Sequence, residues 1–217
     1  MNGYASDRKI LFRCGDRYGI ADGYDIDGRY IYPKSAQVTM DTNCNTGVYF
    51  TDKLWTPPSA IAVLADDEYE ALNREFMKLR KLTNIQRNTL DAMATAKLRN
   101  AKSKEGDGIV FNRKVLVRSI NGSKDVRCGI AESCTISENG RVLIPKSSKT
   151  VTENLGITGT FFNSRYWVVP DTMFVLTDGE YDMLEAGFTE IREIMGAQRN
   201  ALVALGELKL RGETNEN

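Results

Sequence analysis

Asp22, Asp25 and Asp27 stand ahead of Gly28 in the series D-x-x-D-x-D-G, an oxygen-rich pattern of the kind that holds hard cations. The spacing is not that of an EF-hand, and no glutamate closes the loop. A matching stretch later in the chain carries Glu132, Ser137 and Glu138 instead, so no metal site is expected. Cys14, Cys44, Cys128 and Cys134 are scattered, with no C-x-x-C pair, which argues against both a zinc site and a disulfide framework. Four cysteines permit two bridges, but reduced thiols are the expectation. The sequence contains no histidine, which removes the commonest general base and the familiar zinc and haem ligands. No P-loop, dinucleotide fingerprint or nucleophile elbow occurs. The expectation is therefore a protein that is not an enzyme and carries no cofactor.

Charge offers a different chemistry. The formal net charge is zero, but residues 101–177 hold eleven basic and seven acidic groups, net +4, and residues 178–217 hold four and nine, net −5. Lys114, Arg118, Lys124, Arg127, Arg141, Lys146 and Lys149 form the candidate cationic face, with Phe161, Phe162, Tyr166 and Trp167 nearby in sequence. Cations interleaved with aromatics can follow phosphates and stack on bases. The plainer reading makes the aromatics core and the charges a solvated surface. Trp167, like Trp55, precedes a proline corner, where it either packs a strand end or anchors a peptide.

These residues belong to a chain that matches itself. At an offset of 112, residues 28–99 align with 140–211 without a gap, and about a third of positions are identical. Pro33-Lys34-Ser35 matches Pro145-Lys146-Ser147, Trp55 matches Trp167, and Lys97-Leu98-Arg99 matches Lys209-Leu210-Arg211. Upstream, Arg8–Arg13 pairs with Arg113–Arg118, and Gly19-Ile20-Ala21 with Gly129-Ile130-Ala131, at slightly different offsets. Residues 100–112 read as a polar, glycine-bearing linker.

Each copy begins with short runs rich in Ile, Tyr and Phe between turn signals, Asp27-Gly28 and Asn139-Gly140 among them, which predict strands and hairpins. A long helix follows, capped by Asp66 in the first copy and by the capping box Thr177-Asp178-Gly179-Glu180 in the second. Tyr69, Leu72, Phe76, Leu79, Thr83, Gln86, Leu90 and Met93 fall at alternating spacings of 3 and 4, as do Tyr181, Leu184, Phe188, Ile191, Met195, Gln198, Leu202 and Leu205. That spacing predicts a coiled-coil seam. The blocks Gln86-Arg87-Asn88 and Gln198-Arg199-Asn200 are expected to form an interhelical polar network that sets register.

The strand order, the tryptophan-to-proline corner and the opening Val115-Leu116-Val117-Arg118 running into Asp125–Ala131 resemble SH3-like small barrels of the KOW and Tudor type. The small duplicated, histidine-free chain also resembles accessory proteins of bacterial viruses. Together with the self-alignment and the helix stripes, the resemblance, which covers about 65 residues of each copy, gives the expectation of an α+β fold of two tandem repeats, each an SH3-like β-barrel followed by a long heptad-patterned helix. The boundaries expected are 1–65 for the first barrel, 66–100 for its helix, 101–177 for linker and second barrel, 178–212 for the second helix and 213–217 for a disordered tail. It further implies binding to nucleic acid or to a protein of the transcription or translation machinery. The alternative is a self-assembling structural scaffold that binds no nucleic acid, and a homo-oligomer through the helices is expected on either reading. With no long apolar run and no signal-like start, a cytoplasmic location is expected, the host cytoplasm for a viral protein, and no membrane partner.

Overall fold

The computed structural model describes residues 4–15, 17–27, 30–42, 45–50, 60–101, 112–121, 125–136, 143–154, 157–163 and 172–213. The first eight strands are β1 (Tyr4–Ser6), β2 (Ile10–Cys14), β3 (Arg17–Ala21), β4 (Gly23–Asp27), β5 (Tyr30–Lys34), β6 (Gln37–Thr42), β7 (Asn45–Phe50) and β8 (Ala60–Val63). Helix α1 (Asp66–Ala101) follows. Then come β9 (Val115–Asn121), β10 (Asp125–Ala131), β11 (Ser133–Ile136), β12 (Leu143–Lys146), β13 (Ser148–Asn154), β14 (Ile157–Asn163), β15 (Thr172–Val175) and helix α2 (Asp178–Glu213).

Two compact units result. The first gathers Met1–Thr42, Gly47–Arg80 and Arg192–Asn217, and the second Asn43–Thr46 and Lys81–Ile191. Each unit therefore contains part of both helices.

The reason lies in the strands. Ile10-Leu11-Phe12 and Val115-Leu116-Val117 are uninterrupted apolar runs, as expected of strands buried on both faces. In the second unit, Leu116, Cys128, Ile130 and Val151 face one way and pack against Leu90, Ala94, Tyr181, Leu184 and Phe188 of the helices. Val115, Val117 and Ala131 face the other way and pack against Cys134 and Leu143 of the β11–β12 hairpin. In the first unit, Ile10, Phe12, Ala21 and Val38 pack on Ile31 of the β4–β5 hairpin. There β1 adds to the outer side of β4, pairing Ala5 with Asp25.

Local close approaches fix the weave. β3 pairs with β6 and β10 with β13, so each hairpin is skipped by the larger sheet. A Cβ on Gly19 would lie 2.8 Å from the Gln37 carbonyl oxygen, and one on Gly129 would lie 2.7 Å from that of Lys149. Only glycine lets the neighbouring backbone come this near. Ser35 and Ser147 adopt left-handed backbone (φ 49° and 53°) where the chain leaves the hairpin to rejoin the large sheet. This corner gives the Pro-Lys-Ser block a structural role in both halves.

The expectation of two tandem SH3-like barrels, each followed by its own helix, is corrected by the sheet order. Ten strands belong to one mostly antiparallel sheet, in the order β15-β9-β10-β13-β14-β7-β6-β3-β2-β8, with smaller sheets β1-β4-β5 and β11-β12. The class remains α+β. The coiled-coil seam is corrected as well. Every stripe residue from Tyr69 to Leu90 and from Tyr181 to Leu202 is buried, and stripe side chains meet strands as well as the other helix. Phe50 of β7 meets Phe76 edge to face at 6.5 Å in the first unit, and Phe162 of β14 meets Phe188 at 6.2 Å in the second. A stripe with period near 3.5 serves a sheet as well as a partner helix, and periodicity alone does not separate them. The tryptophan–proline corners, residues 51–59 and 164–171, lie outside the described residues.

The helix starts are equivalent but not identical. The Thr177 N–H donates to Glu180 Oε2 (2.8 Å), and the Glu180 N–H donates to Thr177 Oγ1 (3.3 Å), a complete capping box. At α1 the Ala65 N–H donates to Glu68 Oε2 (2.7 Å), with no side chain to reciprocate, so Asp66 is a first-turn residue rather than the cap. Lys209 bridges Glu68 (2.9 Å) in the first unit, and Lys97 bridges Glu180 (3.1 Å) in the second. These contacts hold both carboxyls below their ordinary range, chiefly through Lys209 for Glu68 and the Thr177 N–H for Glu180. The stabilisation is present above the ordinary carboxylate range and is lost as acid protonates the folded form. Ala65→Ser should complete the first box and raise stability by about 0.5–1 kcal/mol in urea denaturation, and Thr177→Ala should lower it by a similar amount.

Candidate functional site

Four of the predicted cations, Lys114, Arg118, Lys146 and Lys149, have described side chains, and all four belong to the second unit. Lys114 leads into β9. Its Nζ lies 3.0 Å from Asp178 Oδ1 and 3.3 Å from Asp182 Oδ1, and sits 4.7 Å above the Tyr181 ring. The bond to Asp178 raises the Lys114 pKa, against an opposing effect of burial. In the first unit, Lys9 makes the same pair with Asp66 (2.8 Å) above Tyr69 (5.1 Å). The recurrence marks a staple between strand start and helix start.

Arg118 on β9 stands with Nε 3.8 Å from Asp91 Oδ1, an ion pair too long for a hydrogen bond. The buried Cys128 thiol donates to the same carboxylate at 3.2 Å. Burial first, and then the carboxylate, push that thiol up to about 12, so it stays protonated and inert. Lys149 on β13 is ion-paired with Glu185. At the matching place in the first unit, an amide pair, Gln37 and Asn73, replaces the charges. Lys146 is exposed at the end of β12, opposite Ser133. The Arg127 backbone pairs with Ser119 and Thr152. Lys124, Arg141, Trp167 and the side chain of Arg127 lie outside the described residues. Of the four predicted cations whose side chains are described, three are thus held by carboxylates of their own unit.

The polar blocks behave differently in the two units. In the second, buried Gln86 donates from Nε2 to the Leu184 carbonyl of the other helix (3.2 Å). Gly187 makes room, since a Cβ there would lie 2.3 Å from Gln86 Oε1. Thr83 and Thr160 share a buried hydroxyl contact at 3.1 Å. In the first unit Gln198 is buried with neither amide atom hydrogen-bonded. Arg87 and Arg199 are half-buried, and Asn88 and Asn200 are exposed.

One feature was not among the predicted site residues. In the first unit Leu11, Arg13, Tyr18 and the β8 residues Ala60, Ile61 and Ala62, with Val203, Gly206, Glu207 and Leu210 of α2, line a groove of about 350 Å³, counting its part open to solvent. Arg13 stacks over Tyr18 at 5.4 Å and donates from Nε to the Gly15 carbonyl (3.1 Å), so its guanidinium forms a wall. The groove traces to substitutions between the halves. Leu11 pairs with Ala62, whereas Leu116 pairs with Phe174, whose ring packs into the second core. Gly206 stands where the other half has the fully buried Ala94, and Val203 where it has Asp91. Reading the internal alignment for small-for-large exchanges would have found it.

An unpaired buried amide costs about 1–3 kcal/mol. Gln198→Leu should therefore raise stability by about 1 kcal/mol, while Gln86→Leu, which forfeits a bond, should lower it by about as much; chemical denaturation of the two variants separates them. No helix of the described residues is long and apolar enough to cross a membrane, and no metal-binding cluster occurs among them. No family model matches the chain, nor does any curated protein or solved structure.

Proposed function

We propose that this chain is a non-enzymatic binding protein that engages a protein partner through the apolar groove of its first unit. The observation that carries the reading is the groove itself. It stays open beside Ala62 where the second unit is closed by Phe174. Apolar concavities with a few polar groups at the rim are the usual form of binding sites. Internal pairing of Lys114, Arg118 and Lys149 adds support, because a cation already held by a carboxylate releases few counterions on meeting a phosphate.

Nucleic-acid binding by the second unit is the second reading. The exposure of Lys146 and the net +4 of residues 101–177 favour it. Lys146 is the cation with a described side chain that this reading would use.

The two readings separate in one experiment. The tagged full chain and its Ala62→Phe variant are used as bait in native lysate, with and without nuclease, and recovered proteins are quantified by mass spectrometry. A set of proteins indifferent to nuclease and depleted by Ala62→Phe is the expected result. Recovery that nuclease abolishes and Ala62→Phe leaves intact would overturn the groove in favour of the basic surface.

A further inference from the structure

Strand β8 forms one wall of the groove and ends the order of the large sheet, and among the described residues no strand pairs with its outer edge. The direction of its backbone groups follows from one bond. The Leu64 N–H donates to the Lys9 carbonyl at 3.0 Å, and Val63 stands opposite Ile10. In an antiparallel ladder, directly opposed residues alternate between bonded and non-bonded pairs. Leu64 and Ala62 therefore bond inward to β2, and the N–H and C=O groups of Ile61 and Val63 point outward.

Side-chain alternation settles the other coordinate. Ile61 packs with the cluster of Ile10, Phe12 and Ile31 on the hairpin side of the sheet. Ala60 and Ala62 have the opposite parity and line the groove beneath Gly206. A strand added along β8 would place every second side chain beside Ala62, over the groove. Leu210, 38% exposed, continues the apolar surface there. The rim carries Arg13 and Glu207, of opposite sign, so the walls impose no net charge on what enters.

Resting on the protein-binding reading above, we infer that the occupant is an extended polypeptide segment of a partner protein. It pairs with β8 as an additional strand and seats one aromatic or large aliphatic side chain in the groove. Main-chain bonds to Ile61 and Val63 supply affinity, and the groove supplies selectivity, the division of labour expected of strand addition. The second unit does not offer the same seat, because Phe174 already occupies the position beside Leu116.

The test uses the full chain and labelled heptapeptides of alternating Thr and Val, with Trp, Phe, Leu or Asp at the centre, followed by fluorescence anisotropy. Peptides centred on Trp, Phe or Leu should bind, and the Asp-centred peptide should not. Ala62→Phe, which copies the residue of the second unit, should weaken binding about tenfold or more with the melting temperature retained. Val63→Pro removes one outward donor without touching the groove walls or the ladder to β2, and should weaken binding comparably. Should Ala62→Phe fail to fold, Val63→Pro alone decides. Equal binding of all four peptides, or binding indifferent to Val63→Pro, overturns strand addition. Self-association abolished by Val63→Pro with no peptide bound reassigns the edge to a second copy and also overturns it. If peptides fail while lysate partners are still lost on Ala62→Phe, strand addition falls and the protein-binding reading stands.

Discussion

The fold depends on strands that are buried on both faces. Once Ile10, Leu11 and Phe12 are all removed from water, with Val115, Leu116 and Val117 matching them, each sheet face needs its own apolar cover. The hairpins supply one cover and the helices the other. A small closed barrel has a single interior and could not satisfy both parities of such a strand. The long stripes on α1 and α2 are therefore committed to sheet faces, and each fully buried Phe or Leu among them contributes roughly 1.5–3 kcal/mol. Because each unit takes part of both helices, neither copy of the sequence accounts for a core by itself.

That commitment shapes the chemistry left at the surface. Lysines at strand starts and near helix ends meet the acidic first turns, as Lys9 meets Asp66, Lys114 meets Asp178 and Lys209 meets Glu68. The Lys-Leu-Arg block persists in both halves because Lys97 and Lys209 close these contacts. The charge excess of residues 101–177 is partly returned by Asp178, Asp182 and Glu185, so a tally by sequence segment overstates the cationic surface. The two units differ instead in small exchanges: Ala62 for Phe174 and Gly206 for Ala94 open a groove, and Gln37 with Asn73 replaces Lys149 with Glu185.

Local features were legible in the sequence. The helix stripes name the residues that bury, the Thr177–Glu180 capping box forms as read, and β4 pairs with β5, Asp27 opposite Tyr30, where the Asp-Gly turn signal stands. Each of these is decided within a few residues. What could not be read is nonlocal. Nothing in Gly19 or Val38 alone says that β3 pairs with β6 across a skipped hairpin, and a 3–4 spacing fits a sheet face as well as a helix. The carboxylate partners of Lys114, Arg118 and Lys149 lie 36 or more residues from them in two cases and 27 in the third, out of reach of any motif. The groove was hidden for a related reason. It consists of missing atoms, visible only when the halves are compared position by position.

The central claim is that the helix stripes dock on strands. A double-mutant cycle between Phe162 of β14 and Phe188 of α2, whose rings meet edge to face at 6.2 Å, tests it most directly. With Phe162→Leu, Phe188→Leu and the double variant measured by urea denaturation, the account predicts a coupling of about 0.5–1.5 kcal/mol between strand and helix. Additive losses, with no coupling beyond error, would mean that the stripe packs elsewhere and would contradict it.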